Sequence, residues 1–201
     1  MSDAAAIPAT AAFDRDALID CSRGEVFGPG NFRLRPPPAL RIIRVAAAGG
    51  AFGQGSVRGE RALRTDRRSF DQPPGGEAVM PASLGLEALW ELMGFFLAWR
   101  GAPGLGRPIA VADFRVLGFA GPEARLIEYG LDFRTVKRTR VTLGVADGWI
   151  TVDGHLATTA RTLKYGLFNG EQRPMPGVAD GRGDALAIAD PHARARALLN
   201  S

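Results

Sequence analysis

Two acidic residues interrupt a long apolar run and are the first candidates for chemistry. Between Val79 and Phe96 nearly every residue is apolar, and the acids are Glu87 and Glu91. Residues four apart share one face of a helix, and a helix that is apolar on nearly all sides packs inside a protein. Burial raises the pKa of a carboxyl toward neutrality, where it can serve as a general acid or base. We therefore hypothesise that Glu87 is an acid/base, with like-charge repulsion from Glu91 raising its pKa further.

A stiff polar loop precedes this helix. Residues 71–76 read Asp-Gln-Pro-Pro-Gly-Gly, a composition that is incompatible with a helix or a strand. Asp71 and Glu77 are two more carboxyls near enough in sequence to reach a pocket at the helix start. Ser83 also lies there, and we interpret it as a helix cap rather than a nucleophile, because no His or Lys is placed to activate it.

Composition limits the class of protein. A chain of 201 residues with 46% hydrophobic content is typical of one folded domain. The net charge of +4 comes mainly from scattered arginines without interleaved aromatics, which argues against nucleic-acid binding. The single cysteine, Cys21, excludes an intrachain disulfide. No secretory segment opens the sequence, and the two acids interrupt the apolar run, so we expect a cytoplasmic protein with no membrane span.

The elements that must position these residues follow from local patterns. Asp14 is placed to cap a short helix that ends at Cys21, and Asp153-Gly154 is a strong signal for a two-residue hairpin turn. A bulge is expected at Asp147-Gly148. The central helix is predicted over 84–99, and strands are predicted over 39–48, 52–64, 109–117, 125–138, 140–152 and 155–168.

This order predicts an α+β protein in which one long helix is wrapped by a curved antiparallel sheet. Residues 13–170 are predicted to form the folded domain. Residues 1–12 are expected to be disordered, and most of the Pro-, Gly- and Ala-rich tail over 171–201 likewise.

Several separated motifs occur in an order typical of one known family. They are Arg-Gly-Glu-Val-Phe-Gly at 23–28, Val-Met-Pro at 79–81 followed by Leu-Gly-Leu at 84–86, Gly-Val-Ala-Asp-Gly at 144–148, Val-Asp-Gly at 152–154 and Leu-Lys-Tyr-Gly-Leu-Phe at 163–168. With these motifs the chain resembles the 3-hydroxydecanoyl-acyl-carrier-protein dehydratase/isomerase family. The resemblance implies a hot-dog fold and a homodimer with two sites at its interface. It also implies a substrate carried on the phosphopantetheine of an acyl carrier protein, with no metal and no organic cofactor.

The resemblance implies a site from which one group has been lost. Family members place a catalytic His six residues before the Val of Val-Met-Pro, and that position is Pro73 here. Their helix aspartate corresponds to Glu87. Backbone N–H groups at the helix start, near Val79, Ala82 and Ser83, would bind the thioester carbonyl. The chain is thus identified as a divergent member that lacks the catalytic His.

Three functions remain open for such a site. The first is 3-hydroxyacyl dehydration, with Glu87 as the retained acid/base. The second is thioester hydrolysis, because Gln72 and Glu87 are similar to the Gln and carboxylate of one class of hot-dog acyl-CoA thioesterases. The third is a non-catalytic role, either in binding an acyl carrier or as one subunit of a heterodimer with an intact dehydratase.

Basic residues on consecutive predicted strands form a candidate docking surface. Arg134, Lys137 and Arg138 are followed closely by Arg140. They are interpreted either as an ordinary solvated sheet edge or as a docking site for an acidic carrier protein. No nucleic-acid or membrane partner is expected. The two histidines of the chain, His155 and His192, are predicted just after a hairpin turn and in the tail, where neither replaces the lost base.

Overall fold

One long helix lies against an antiparallel sheet. The computed structural model describes residues 10–37, 39–50, 53–63, 70, 76 and 78–169. The elements in chain order are β1 (Thr10–Phe13), α1 (Arg15–Arg23), β2 (Arg44–Gly49), β3 (Gly55–Ala62), α2 (Ala82–Trp99), β4 (Leu105–Ala110), β5 (Asp113–Val116), β6 (Leu126–Arg138), β7 (Thr142–Val152) and β8 (His155–Phe168).

The helix α2 is buried on almost every side. It contains no β-branched residue, begins after Pro81 and ends at Trp99, just before the left-handed Gly101. Gly85, Leu86 and every residue from Ala88 to Trp99 are buried. The predicted inner helix is therefore confirmed, and its aromatic residues form the centre of the core, where Phe96 stacks on Phe133 with ring centroids 4.1 Å apart.

The described strands form one sheet in the order β1-β2-β3-β6-β7-β8-β4, and β5 also pairs with β8. All of these pairings are antiparallel. The predicted α+β arrangement of one long helix and an antiparallel sheet is confirmed.

Turn chemistry sets the register of the last three strands. Asp153 and Gly154 have φ angles of 48° and 82°, which are the left-handed values of a two-residue hairpin turn. The Asp153 carboxylate also accepts hydrogen bonds from the backbone N–H groups of Arg125 and Leu126. The register of β7 against β8 shifts between Ala146 and Gly148, which confirms the predicted bulge.

Three predictions about the strands need correction. The strand predicted over 109–117 is two strands, and the pairing of β4 is irregular after Pro108, which has no N–H to donate. The strand predicted from residue 39 begins only at Arg44. Residues 10–12, predicted to be disordered, belong to β1 and pair with β2. Residues 1–9 and the predicted tail from 171 onward lie outside the described residues.

The predicted N-cap of α1 is confirmed, because the Asp14 side chain accepts a hydrogen bond from the Ala17 N–H at 3.0 Å. Cys21 is buried on this helix, and burial raises the pKa of its thiol to about 11. A thiol with a raised pKa is a poor nucleophile, which agrees with a packing role. Among the described helices, none combines the length and hydropathy that crossing a lipid bilayer requires.

Candidate functional site

Glu87 lies on the first half of α2, where it forms ion pairs with two arginines. Its side chain is 28% exposed, and its Oε2 atom accepts a hydrogen bond from Arg35 Nη1 at 2.7 Å. Arg41 Nη2 lies 4.0 Å from the same oxygen. Both arginines come from the irregular segment between α1 and β2. The candidate acid/base is thus a half-buried carboxylate whose charge is already compensated within the chain.

Glu91, one turn further along α2, is the more deeply buried acid. Its side chain is only 9% exposed, and Oε1 lies 3.4 Å from Arg35 Nε. Burial raises its pKa from 4.5 to about 7, although the charges of Arg35 and Arg41 oppose that rise. The sequence pattern predicted that burial would raise the pKa of Glu87. The structure places this effect on Glu91, because the sheet covers that part of the helix more completely.

Glu87, Glu91, Arg35 and Arg41 form a charged cluster at α2. Groups from three strands complete this cluster. Arg61 of β3 is buried, and it lies beside the buried Tyr129 of β6. Burial raises the pKa of Tyr129 to about 12, and the Arg61 charge opposes the rise. Tyr165 of β8 stacks on Trp90 at 6.0 Å, and burial together with the charge of Glu91 raises its pKa well above the usual range.

The sequence patterns did not predict the three arginines of this cluster, Arg35, Arg41 and Arg61. One signal was present: Val57, Gly59 and Arg61 alternate along β3 and all face the buried side. A period of two therefore points Arg61 inward together with its apolar neighbours. Arg35 and Arg41 lie in irregular chain, where no such periodicity applies.

The start of α2 presents backbone N–H groups that no side chain caps. Pro81 is the N-cap residue and makes no side-chain cap hydrogen bond, while Leu84 N–H donates to the Pro81 carbonyl at 3.0 Å. Ser83 lies two residues inside the helix and is exposed, so its predicted role as the cap is wrong. Val79 and Ala82 are half-buried at the same place. An uncapped start of a long helix favours the binding of a carbonyl oxygen or an anion.

An apolar surface borders the helix start. Met80 N–H donates to the Ala120 carbonyl at 2.9 Å, and a small apolar cleft here is lined by Met80, Ala82, Gly85, Phe119 and Ala120 among others. Leu117 and Phe119 are 60% and 58% exposed, which is unusual for such large apolar side chains.

The predicted site residues of the polar loop lie outside the part of the chain that the structure describes. Asp71, Gln72, Pro73 and Glu77 lie outside the described residues, as does His192. The loop's predicted contribution therefore stays a prediction.

His155 is exposed at the start of β8, where its ring nitrogen lies 3.1 Å from the Asp153 carbonyl, and its predicted surface position is confirmed. Within the described residues, no group of three or more His, Cys, Asp or Glu side chains is arranged to hold a metal ion.

The predicted docking residues lie at the other end of α2. Arg134 donates to the carboxylate of Asp147 at 3.0 Å and to the hydroxyl of Thr162 at 2.8 Å. Arg138 donates to the backbone carbonyl of Arg100, which follows the last residue of α2. An 18-residue helix is about 27 Å long. Within one chain the basic residues and the helix start are therefore separated by most of the length of α2.

Comparison with known proteins identifies the family. A model of the FabA-like domain matches residues 40–161, which is more than half of the chain. The chain belongs to the FabA-like domain family. This FabA-like chain shares 15% identity with a structure titled the dehydratase heterocomplex ApeI:P from Xenorhabdus doucetiae, with a TM-score of 0.52, over 68% of this chain and 88% of the other.

A second similar structure is a mutant thioesterase from Pseudomonas aeruginosa, with 14% identity and a TM-score of 0.41 over 62% and 81% of the two chains. At such identities a structural likeness shows the fold at most. The family match and the heterocomplex match together confirm the predicted hot-dog fold of the FabA-like chain.

Proposed function

We propose that this FabA-like chain is a subunit of an enzyme that removes water from 3-hydroxyacyl thioesters on an acyl carrier protein. The observation that carries the proposal is the position of Glu87. Glu87 lies on the second turn of α2, whose start is uncapped, and its side chain is 28% exposed, so a bound substrate could reach it. Membership of the FabA-like family supports a substrate of this class.

The proposed reaction needs two functions from the described residues. Backbone N–H groups of Ala82 and Ser83 would donate to the thioester carbonyl oxygen and stabilise the charge that develops there. Glu87 would take the proton from the carbon next to the carbonyl. A double bond then forms between that carbon and the next, the C–O bond breaks, and the same carboxyl returns the proton to the departing hydroxyl as water.

The exposed edge of the sheet supports an assembly of two subunits. In the described residues β4 and β5 pair only with β8, which leaves their other side unpaired. Large exposed apolar side chains concentrate at or beside this edge, namely Leu105, Ile109, Val116, Leu117, Phe119 and Leu156. An unpaired apolar edge is a ready surface for strand pairing with another subunit. A partner bound there would lie beside the apolar cleft that Met80, Ala82 and Phe119 line at the start of α2.

A heterodimer is the second candidate. Its support is that Glu87 is already ion-paired with Arg35 and that His155, the histidine within the described residues, is exposed at the start of β8. A subunit with these properties would lend its helix start or Glu87 to a site whose base comes from a different FabA-like subunit. The match to a protein titled a dehydratase heterocomplex is compatible with this arrangement.

The test is to incubate the purified protein with 3-hydroxyacyl and saturated acyl thioesters on a carrier protein and to follow products by mass. We expect loss of water, and a decrease of about 10²- to 10⁴-fold in Glu87→Gln, since that is what a general acid/base contributes. Glu60→Gln is the matched control, because Glu60 of β3 is paired with Arg44 of β2 and not with the arginines that contact Glu87.

Each other outcome has a defined meaning. Release of free acid would overturn dehydration and favour hydrolysis by Gln72 and Glu87. Absence of any product from the protein alone would overturn the homodimeric enzyme. Water loss that appears only after an intact dehydratase subunit is added would support the heterodimer.

A further inference from the structure

Arg35 is shared between the two acids of α2. Its Nη1 atom lies 2.7 Å from Glu87 Oε2, and its Nε atom lies 3.4 Å from Glu91 Oε1. The first distance is that of a strong charge-assisted hydrogen bond, and the second is that of a weaker ion pair. One guanidinium therefore spans two carboxyls that are one helical turn apart.

The two carboxyls differ in their surroundings. Glu87 is 28% exposed, whereas the side chain of Glu91 is 9% exposed, and neither Glu91 oxygen has a hydrogen-bond donor among the described residues. Burying a charge without hydrogen bonds is costly, so the neutral form of Glu91 is favoured. Burial accordingly raises the pKa of Glu91 to about 7.

Charged and titratable groups face Glu91 from every side of the cluster. The segment between α1 and β2 contributes Arg35 and Arg41, and the helix itself contributes Glu87. The strands β3, β6 and β8 contribute Arg61, Tyr129 and Tyr165 respectively. The three arginines favour the charged form of Glu91, while desolvation and the charge of Glu87 oppose it.

We propose that Arg35 is a positioning residue and that the charge on Glu91 sets how firmly it holds Glu87. When Glu91 carries its proton, the Arg35 guanidinium has a single carboxylate partner and stays on Glu87. When Glu91 is ionised, it attracts Nε of the same guanidinium, and the hold on Glu87 weakens. As pH rises through neutrality, the ion pair between Arg35 and the candidate acid/base Glu87 weakens.

One consequence rests on the proposed function. If Glu87 is the acid/base, release from Arg35 frees its oxygens for the substrate, and turnover increases with pH around neutrality. The proposal itself concerns only the ion pair, and its test does not require an active enzyme.

The test is NMR of the full chain with labelled arginine and glutamate side chains between about pH 5 and pH 9. We expect the Arg35 Nε–H signal, assigned with Arg35→Lys, to shift with a midpoint near 7, the pKa of Glu91. In Glu91→Gln this shift should be lost. The signal of Arg44, which pairs with Glu60 at 3.1 Å between β2 and β3, serves as the internal control and should stay constant through neutrality.

Two results would overturn the proposal. One is an Arg35 signal that stays constant across the whole pH range. The other is a midpoint that persists unchanged in Glu91→Gln.

If that variant does not fold, Arg35→Gln provides the second test, because Arg35 lowers the pKa of Glu91. The Glu91 carboxyl midpoint should then rise by at least about half a pH unit, and an unchanged midpoint would refute the shared contact. Activity of the protein, present or absent, does not alter either reading.

Discussion

Replacing Glu91 with Gln should remove a pH-dependent loss of stability. The unfolded chain releases the Glu91 proton above pH 4.5, whereas the folded chain holds it until about pH 7. Between these values the folded state binds more protons than the unfolded state, so stability falls as pH rises. Each pH unit is worth about 1.4 kcal/mol, so the full window corresponds to about 3 kcal/mol. The side chain of Glu91 is 9% exposed, so solvent screening of this effect is small.

The measurement is the free energy of unfolding in urea for the wild-type protein and for Glu91→Gln, near pH 5 and near pH 8. Other groups titrate in both proteins, so the informative quantity is the difference between the two. The free energy of unfolding of the variant, relative to that of the wild type, should increase by about 2–3 kcal/mol from about pH 5 to about pH 8. Glu60→Gln, which changes a partly exposed acid, is the matched control and should show little change.

A difference between the two proteins that is the same at both pH values would refute the reasoning. It would mean that the folded chain does not raise the pKa of Glu91 and that the carboxyl is already ionised near pH 5 in both states.

Three further predictions concern a packed glycine, a hydrogen-bonded carboxylate and the exposed edge of the sheet. Gly94→Ala should destabilise the fold by about 1–3 kcal/mol in urea titration, because the added Cβ would lie 2.2 Å from the Phe32 ring, which outweighs the better helix propensity of Ala. Gly85→Ala is the control and should cost less, because its Cβ would meet only the end of the Ile150 side chain. Asp147→Ala should cost about 1–2 kcal/mol and Asp147→Asn less, because the carboxylate accepts from Thr162 N–H at 2.8 Å and from Arg134. Phe119→Lys should reduce the mass measured by light scattering from two subunits to one, whereas Leu143→Lys, on β7, should leave the mass unchanged. A dimer that persists in Phe119→Lys would refute the proposed interface at the β4 and β5 edge.

The sequence was sufficient for the parts of the fold that local chemistry decides. The helix α2 follows from an apolar run without β-branched residues, bounded by Pro81 and Gly101. The span of β8 and its hairpin turn follow from Asp153-Gly154 and from the residues after it. In both cases the determining residues are neighbours in the chain, so their pattern is visible before folding.

The weaker predictions concerned segments whose structure depends on distant partners. The start of β2 is set by its pairing with β3, and residues 10–12 become ordered only because β2 provides an edge for them. The run that was predicted as one strand divides into β4 and β5, both of which pair with β8.

The candidate site divides in the same way. The sequence by itself determined that two acids lie on one face of an inner helix, because helical spacing alone decides this. Only the tertiary structure decided that Glu91 is the deeply buried acid and that Arg35 holds both. Arg35 and Glu87 are separated by 52 residues, and their contact exists because an irregular segment folds across the helix. Burial and charge compensation depend on which distant groups meet, and no local pattern encodes that meeting.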